Sequence, residues 1–293
     1  MSPEEHGRRI EAVLERRTGE HRDRVARLLR RGLVVDGGSG LPLHRGQRVE
    51  HGDLVEVREP DPTPRGAPVP NRKVKLRVLH ADPDVAAVFK PAGVVMHPGP
   101  GHGTDTLQNA LVARFPSLLD LGPEREYGLV HRLDRDTSGV VLVGLTPAGY
   151  GGLVEAFEAR AVGKTYLALV HERAPLEDEG RCELPVAGKD AITTWEVTER
   201  RGPVARVVVR PLTGRTHQVR VHLAAQGAPV LADSRHGHGL DALTARLFLT
   251  RLALHAARVE AVHPVSGQAL AVEVDWPKDL RRAWRRAERP QPQ

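Results

Sequence analysis

A single cysteine, Cys182, occurs in the whole sequence. That excludes an intramolecular disulfide and a cysteine-built metal cluster, and Cys182 itself reads as a small strand residue. Aromatic side chains make up only 3% of the chain, so an aromatic on an aliphatic strand is conspicuous. No apolar run approaches the roughly 20 residues that span a bilayer. Residues 1–20 are charged throughout and lack an apolar centre, which argues against a secretory leader. There is no internal repeat. The glycine-rich stretch at residues 99–103 has the spacing of neither a P-loop nor a dinucleotide-binding fingerprint. These absences fit a cytoplasmic enzyme of bacterial type without membrane association.

Positive charge is present but unevenly placed. The net charge is +6; residues 1–59 contribute about +1 and residues 278–293 contribute +4, which leaves about +1 for everything between. Any nucleic-acid footprint on the central part must therefore be local. Arginine greatly outnumbers lysine, which suits bidentate phosphate contacts and is equally what GC-rich coding produces.

Taken in order, Ile10, Val13 and Leu14 have helical spacing that Thr18-Gly19 interrupts. Val25, Leu28 and Leu29 repeat it, with Arg22, Arg24, Arg27, Arg30 and Arg31 on the remaining faces. A short strand at Leu33-Val34-Val35, a turn at Asp36-Gly37-Gly38 and a second strand at Leu54–Val57 complete a small unit, residues 1–59. An arginine-rich helix of this kind can lie along a phosphate backbone; taken alone it reads equally as a solvated helix face. Residues 60–74 hold prolines 60, 62, 64, 68 and 70 and are expected to form a semi-rigid linker.

A large domain is expected over residues 75–280. Val85–Phe89 reads as a strand. Asp105 and Gln108, three apart, predict a capping box for the helix carrying Leu107, Ala110, Leu111 and Phe115. Thr146-Pro147 predicts a helix start. Lys164–Val170 alternates as a strand with Tyr166, Ala168 and Val170 on one face. Val204–Val209 is another strand, and a helix is expected over residues 216–226, stopped by Gly227. The irregular alternation of elements predicts an α+β domain on a mixed, largely antiparallel sheet. Residues 281–293 are expected to be a basic, disordered tail.

The chemistry concentrates in one stretch. Val140–Val143 reads as a buried strand, and His131, Arg132, Asp134, Arg135 and Asp136 lead into it through Thr137-Ser138-Gly139. A charged loop feeding a buried strand puts carboxylates at the edge of a core, where useful side chains gather. Individually these residues also read as turn formers, solvated charges and a structural histidine.

His131-Arg132-Leu133-Asp134-Arg135-Asp136-Thr137-Ser138-Gly139 resembles the signature of the RluA-type pseudouridine synthases. Phe89-Lys90-Pro91-Ala92-Gly93, Lys164-Thr165-Tyr166-Leu167-Ala168 and Thr213-Gly214-Arg215-Thr216-His217-Gln218-Val219-Arg220-Val221-His222 are similar to three further motifs of that family, in the same order. The resemblance spans roughly residues 76–280. It implies the pseudouridine synthase fold, and the small first unit resembles an S-four-type RNA-binding domain. It also implies an isomerisation of uridine to pseudouridine that needs no cofactor. Asp134 is the implied catalytic carboxylate and Arg215 its ion-pair partner, although alone Arg215 reads as a surface or phosphate-binding arginine. Tyr166 is the implied aromatic against the flipped base, and Arg132 the wedge that fills the gap the base leaves. Arg24, Arg27, Arg30 and Arg31 are the candidate RNA contacts of the first unit.

The expected partner is RNA, with large-subunit ribosomal RNA first and transfer RNA the alternative, bound by a monomer. No metal is expected: His217 and His222 are five apart and do not share a helical face, and nothing pairs with the other histidines. The sequence departs from the family after Gly227-Ala228-Pro229-Val230. The family continues Gly-Asp-x-x-Tyr-Gly; here Leu231-Ala232-Asp233-Ser234-Arg235-His236-Gly237 follows, a loop expected to shape RNA contacts. A non-catalytic RNA-binding or ribosome-assembly protein on the same fold, and an N-glycosidase that releases uracil, are the rival classes.

Overall fold

The computed structural model describes residues 2–19, 25, 28–29, 34–57, 67–99 and 101–287. The chain divides into two compact units, residues 1–66 and 67–293.

In the first unit, α1 (Ile10–Thr18) ends at Gly19 in the left-handed region, φ 67°. The strands β1 (Val34–Asp36) and β2 (Val55–Val57) pair antiparallel. Ile10, Val13, Leu14, Val25, Leu29, Val34, Leu43 and Val49 form its core. The helical spacing read from the sequence thus produces the buried stripe it implies. Arg24, Arg27, Arg30 and Arg31 lie outside the described residues.

In the second unit, the segment expected as the end of the linker is pinned down. The Asn71 N–H donates to the Asn109 carbonyl, the Asn71 amide to the Thr104 carbonyl, and the Asn109 amide to the Val69 carbonyl. The prolines of this stretch leave few N–H groups of its own, so side-chain amides supply the anchorage.

Among the described residues the second unit is built on one nine-stranded sheet. Its strands are β3 (Arg77–Ala81), β4 (Val85–Lys90), β5 (Ser138–Gly144), β6 (Gly163–His171), β7 (Glu179–Cys182), β8 (Thr193–Arg201), β9 (Val204–Pro211), β10 (Leu254–Val262) and β11 (Ala269–Glu273). They run in the order β3-β4-β5-β10-β6-β9-β8-β7, with β11 paired to β10. Every pairing is antiparallel except β5 with β10, which is parallel over two residue pairs, His255 with Ser138 and Ala256 with Gly139. Gly139 is required there. It sits at φ 140°, and a Cβ on it would fall 2.2 Å from the Ala256 carbonyl oxygen.

Alternation along β4 and β5 separates two cores. Ala86, Val88, Val141 and Val143 face α2 (Leu107–Arg114) through Leu107 and Leu111. Val85, Ala87, Val140 and Leu142 face α3 (Pro147–Glu158) through Leu153, together with β11. Thr146 caps α3 by accepting the Gly149 N–H at 3.1 Å. The cap of α2 differs from the expected Asp105–Gln108 pair. Thr106 and Asn109 form the box, one residue later, while Asp105 pairs with His102. The short hydroxyl of Thr106 lies at the N-cap itself, so it takes the role.

A third core joins β6 and β9 to α4 (Gln218–Ala225) and to α6 (Lys278–Ala287). The helix α5 (Ala242–Arg246) lies between α4 and α6 in sequence. The expected disordered tail is therefore corrected over residues 281–287, which are helical. Leu280, Ala283, Trp284 and Ala287 are buried, Arg201 stacks over the Trp284 ring, and Asp279 pairs with Arg251 at 2.7 Å. Basic composition concealed an apolar stripe at i, i+3, i+4 and i+7. Residues 288–293 lie outside the described residues.

Candidate active site

The loop leading into β5 is fixed from beneath. Lys90, at the end of β4, is fully buried. Its ammonium donates to the carbonyls of Pro91, Val94 and Arg135 at 3.0, 2.7 and 2.8 Å. Burial pulls the Lys90 pKa down to about 7, against the attraction of Asp136 and Asp134. Three carbonyls converging on one nitrogen favour the three-donor charged form. The Gly93 N–H adds a second hydrogen bond to the Arg135 carbonyl at 2.9 Å. The Lys-Pro-Ala-Gly motif is thus the brace of the His-Arg-Leu-Asp loop.

His131, the first residue of that loop, faces inward. Its Nε2 accepts the Leu142 N–H at 2.9 Å, and its ring stacks on Phe157 with centroids 4.7 Å apart. Burial, with the nearby Lys164 charge, lowers its pKa to about 3. Protonation would destroy the acceptor that Leu142 uses, so the fold holds a neutral ring. The unfolded state binds the proton more readily, and this contribution to stability is complete above about pH 6.5 and is lost as pH falls toward 3. Urea-unfolding free energy should drop across that window by no more than about 5 kcal/mol on this account. In His131→Gln, whose amide oxygen accepts without titrating, the drop should shrink; an unchanged slope would refute the assignment.

Asp134 opens into a cleft of about 450 Å³ that Arg132, Lys164, Tyr166, Arg215, His217 and Arg220 also line. Its side chain is 20% exposed, open to a reactant yet largely shielded from water. The Arg220 Nη1 donates to Asp134 Oδ2 at 2.9 Å. The same guanidinium grips Asp233 with its Nε and Nη2, both at 2.7 Å. Burial opposes the charges on Arg220 and Asp233, but their mutual hydrogen bonds prevail, raising the arginine and lowering the carboxylic acid. The expectation that Arg215 pairs with Asp134 is corrected. Arg215 directs its Nε to the Asp190 carbonyl at 3.0 Å and stays at the cleft wall.

The local fold explains the exchange. Gln218 is buried at the start of α4, where its Oε1 accepts from the Thr213 hydroxyl and the Arg215 N–H, and its amide donates to the Ile192 carbonyl and to Thr193 Oγ1. His222, one turn later, spans Thr193 and the Leu184 carbonyl. These two residues turn one side of α4 to β8, and Arg220 projects from another side toward Asp134. His217 precedes α4 in the left-handed region, φ 59°, a strained conformation for a non-glycine residue and one concentrated at functional sites. Its Nε2 lies 3.7 Å from Asp134 Oδ1.

Tyr166 is half-buried on β6, where it pairs with Ala256 and Val209, and it reaches the cleft that holds Asp134. Burial, reinforced by the negative charge of Asp134, raises its pKa, so it is a neutral phenol at neutral pH. Arg132 is exposed at the cleft rim. Lys164, two residues before Tyr166 and on the same strand, donates to the Thr213 carbonyl at 3.0 Å and brings a cation that the sequence reading left unassigned. Its alternation with Tyr166 was the available signal; for Arg220 it was the three-residue helical step from His217. Nothing in the sequence spacing brings Asp233 or His236 to this place. No group of three histidine, cysteine or acidic side chains suited to a metal occurs among the described residues, and no helix among them is long and apolar enough to cross a membrane.

Comparison with known proteins fits this geometry. A family model described as RNA pseudouridylate synthase matches residues 84–225, from the start of β4 to the end of α4. The ribosomal large subunit pseudouridine synthase D of Xanthomonas campestris pv. campestris is 36% identical over 94% of this chain and 88% of its own length. An uncharacterized RNA pseudouridine synthase of Bacillus subtilis, YlyB, is 31% identical over 95% of this chain and 94% of its own. Among solved structures, human RNA pseudouridylate synthase domain containing 4 has a TM-score of 0.59 at 23% identity, covering 74% of this chain and 95% of that one, a likeness of fold.

Proposed function

Since the chain belongs to the RluA-type RNA pseudouridine synthase family, we propose that it converts uridine to pseudouridine in large-subunit ribosomal RNA, with Asp134 as the catalytic carboxylate. The observation that carries this reading is the convergence of a braced carboxylate, a buried arginine and a neutral phenol in one cleft. Isomerisation breaks the bond from C1′ to N1, turns the held base and joins C1′ to C5. A proton leaves C5 and N1 gains one, so the balance needs no oxidant and no cofactor. Asp134, hydrogen-bonded by Arg220, attacks the sugar or takes its proton as the base departs. Tyr166 supports the flipped base and takes part in proton transfer at C5. Arg132 at the rim fills the space left in the RNA stack. Arg24, Arg27, Arg30 and Arg31 of the first unit, read as an S-four-type domain, supply phosphate contacts to the RNA. The similarity to the Xanthomonas enzyme supports ribosomal RNA over transfer RNA, and the proposal includes a monomer acting in the cytoplasm.

Pseudouridine mapping of total RNA from cells lacking the gene, with and without the wild-type copy, tests the substrate. A large-subunit site lost and then restored is expected; a transfer RNA site or an unchanged map would overturn it. Tyr166→Phe keeps the ring face and loses the hydroxyl. Its single-turnover rate should fall about 10²–10⁴-fold with RNA binding near wild type. A wild-type rate would confine Tyr166 to stacking.

A further inference from the structure

We infer that His236 is a positioning residue for the reaction, acting through His217 to keep an N–H donor turned toward Asp134. This rests on Asp134 being the catalytic carboxylate. The two imidazoles are in direct contact: His217 Nδ1 lies 2.9 Å from His236 Nε2, and the rings meet edge to face with centroids 5.1 Å apart. Only one hydrogen fits between those nitrogens. If His236 supplies it, His217 Nδ1 is the acceptor and its own hydrogen is on Nε2, the nitrogen 3.7 Å from Asp134 Oδ1. The opposite arrangement would aim an Nε2 lone pair at a carboxylate. Electrostatics therefore selects the first arrangement.

The placement of His236 is built rather than incidental. Asp233 Oδ1 accepts the N–H groups of Arg235 and His236, both at 2.9 Å, while the Asp233 carbonyl accepts the N–H of Gly237 and Gly239. The carboxylate that grips Arg220 thus also sets the backbone of His236. One buried acid organises Arg220, which contacts Asp134, and His236, which contacts His217, so the loop expected to shape RNA contacts also backs the reacting centre.

The charged groups facing the pair are Asp134 from the loop before β5, Arg220 from α4, and Asp233 and Arg235 from the 231–237 loop. Burial lowers the pKa of both imidazoles, helped by Arg220 and Arg235 and opposed by Asp134 and, at His236, by Asp233. Both rings are neutral at neutral pH. In acid, the pair gains one proton and an imidazolium faces Asp134, which withdraws the free carboxylate from reaction.

His236→Phe removes the partner and His236→Gln restores a donor. At pH 7 the Phe variant should lose about tenfold in single-turnover rate, the scale of one donor contact, and the acid limb of its pH profile should move. The Gln variant should recover most of the rate. Nitrogen-15 spectra of histidine-labelled wild-type protein should place the His217 hydrogen on Nε2, a readout independent of activity and of how either variant folds. A hydrogen on Nδ1 in the wild type, or a rate and pH profile in the Phe variant identical to wild type, would overturn the inference. Asp134→Asn run alongside separates the two readings. Activity in that variant defeats the role of Asp134, whereas an inactive Asp134→Asn with an unaltered His236→Phe defeats only the role of His236.

Discussion

Asp134→Asn should abolish pseudouridine formation, by about 10⁴-fold or more in single-turnover rate, while leaving the protein folded and able to bind RNA. The amide matches the carboxylate in size, and its oxygen can still accept from Arg220 Nη1, which donates to the carboxylate at 2.9 Å. Arg220 also keeps its two bonds to Asp233, so no buried charge is left alone. The negative charge disappears, and with it both nucleophilicity and basicity. The readout is the pseudouridine content of the RNA product, with the urea midpoint as the check on folding. Full restoration of pseudouridine by this variant in cells lacking the gene would show that Asp134 is not the reacting group.

Arg220→Met has the second large effect, and it strikes stability as well as rate. Asp233 has no side-chain exposure and Arg220 only 10%, so removing the guanidinium leaves one carboxylate buried and a second without its partner. A loss of about 3–5 kcal/mol in unfolding free energy is expected, with activity below detection. Lysine cannot replace the fork that serves Asp233 and Asp134 together, and Arg220→Lys should recover little activity. Replacing both members, Arg220→Met with Asp233→Leu, removes the stranded buried charge and should return part of the stability but none of the rate. If the single variant unfolds at the wild-type urea concentration, the buried pair is not a structural element; if it turns over at the wild-type rate, Asp134 does not depend on it.

Much of this was legible in the sequence because short-range rules dominate where they were used. The strands β4, β5, β6 and β9 follow from apolar or alternating runs, and Thr146-Pro147 marks the start of α3 without any tertiary information. Asp134 and Tyr166 meet in one cleft as the family resemblance implied. The misassigned partner marks where such rules stop. Arg215 and Arg220 lie five residues apart in one motif, and the choice between them depends on how Gln218 and His222 rotate α4 against β8. That rotation is a property of packing between distant segments. The same holds for Asp233, whose contact with Arg220 crosses 13 residues. At α6 the error had another source. Charge composition was allowed to outweigh periodicity, although Leu280, Ala283, Trp284 and Ala287 carry the periodic signal.

The two-pair parallel contact between β5 and β10 has a consequence for how activity comes into being. Asp134 belongs to the chain segment that ends in β5, whereas Tyr166 and Arg220 belong to the segment across that seam. On the proposed roles, neither side of the seam alone carries the whole set that lines the cleft. The bond from Arg220 to Asp134, the hydrogen bond between Ser138 and His255 at 2.9 Å and the reach of Arg251 to Ser138 at 3.2 Å act as stitches across it. With Asp134 as the proposed catalytic carboxylate, activity therefore depends on the seam being closed, since Arg220 reaches Asp134 only across it. Fragments severed between β5 and β6 would be silent apart and active only after they recombine.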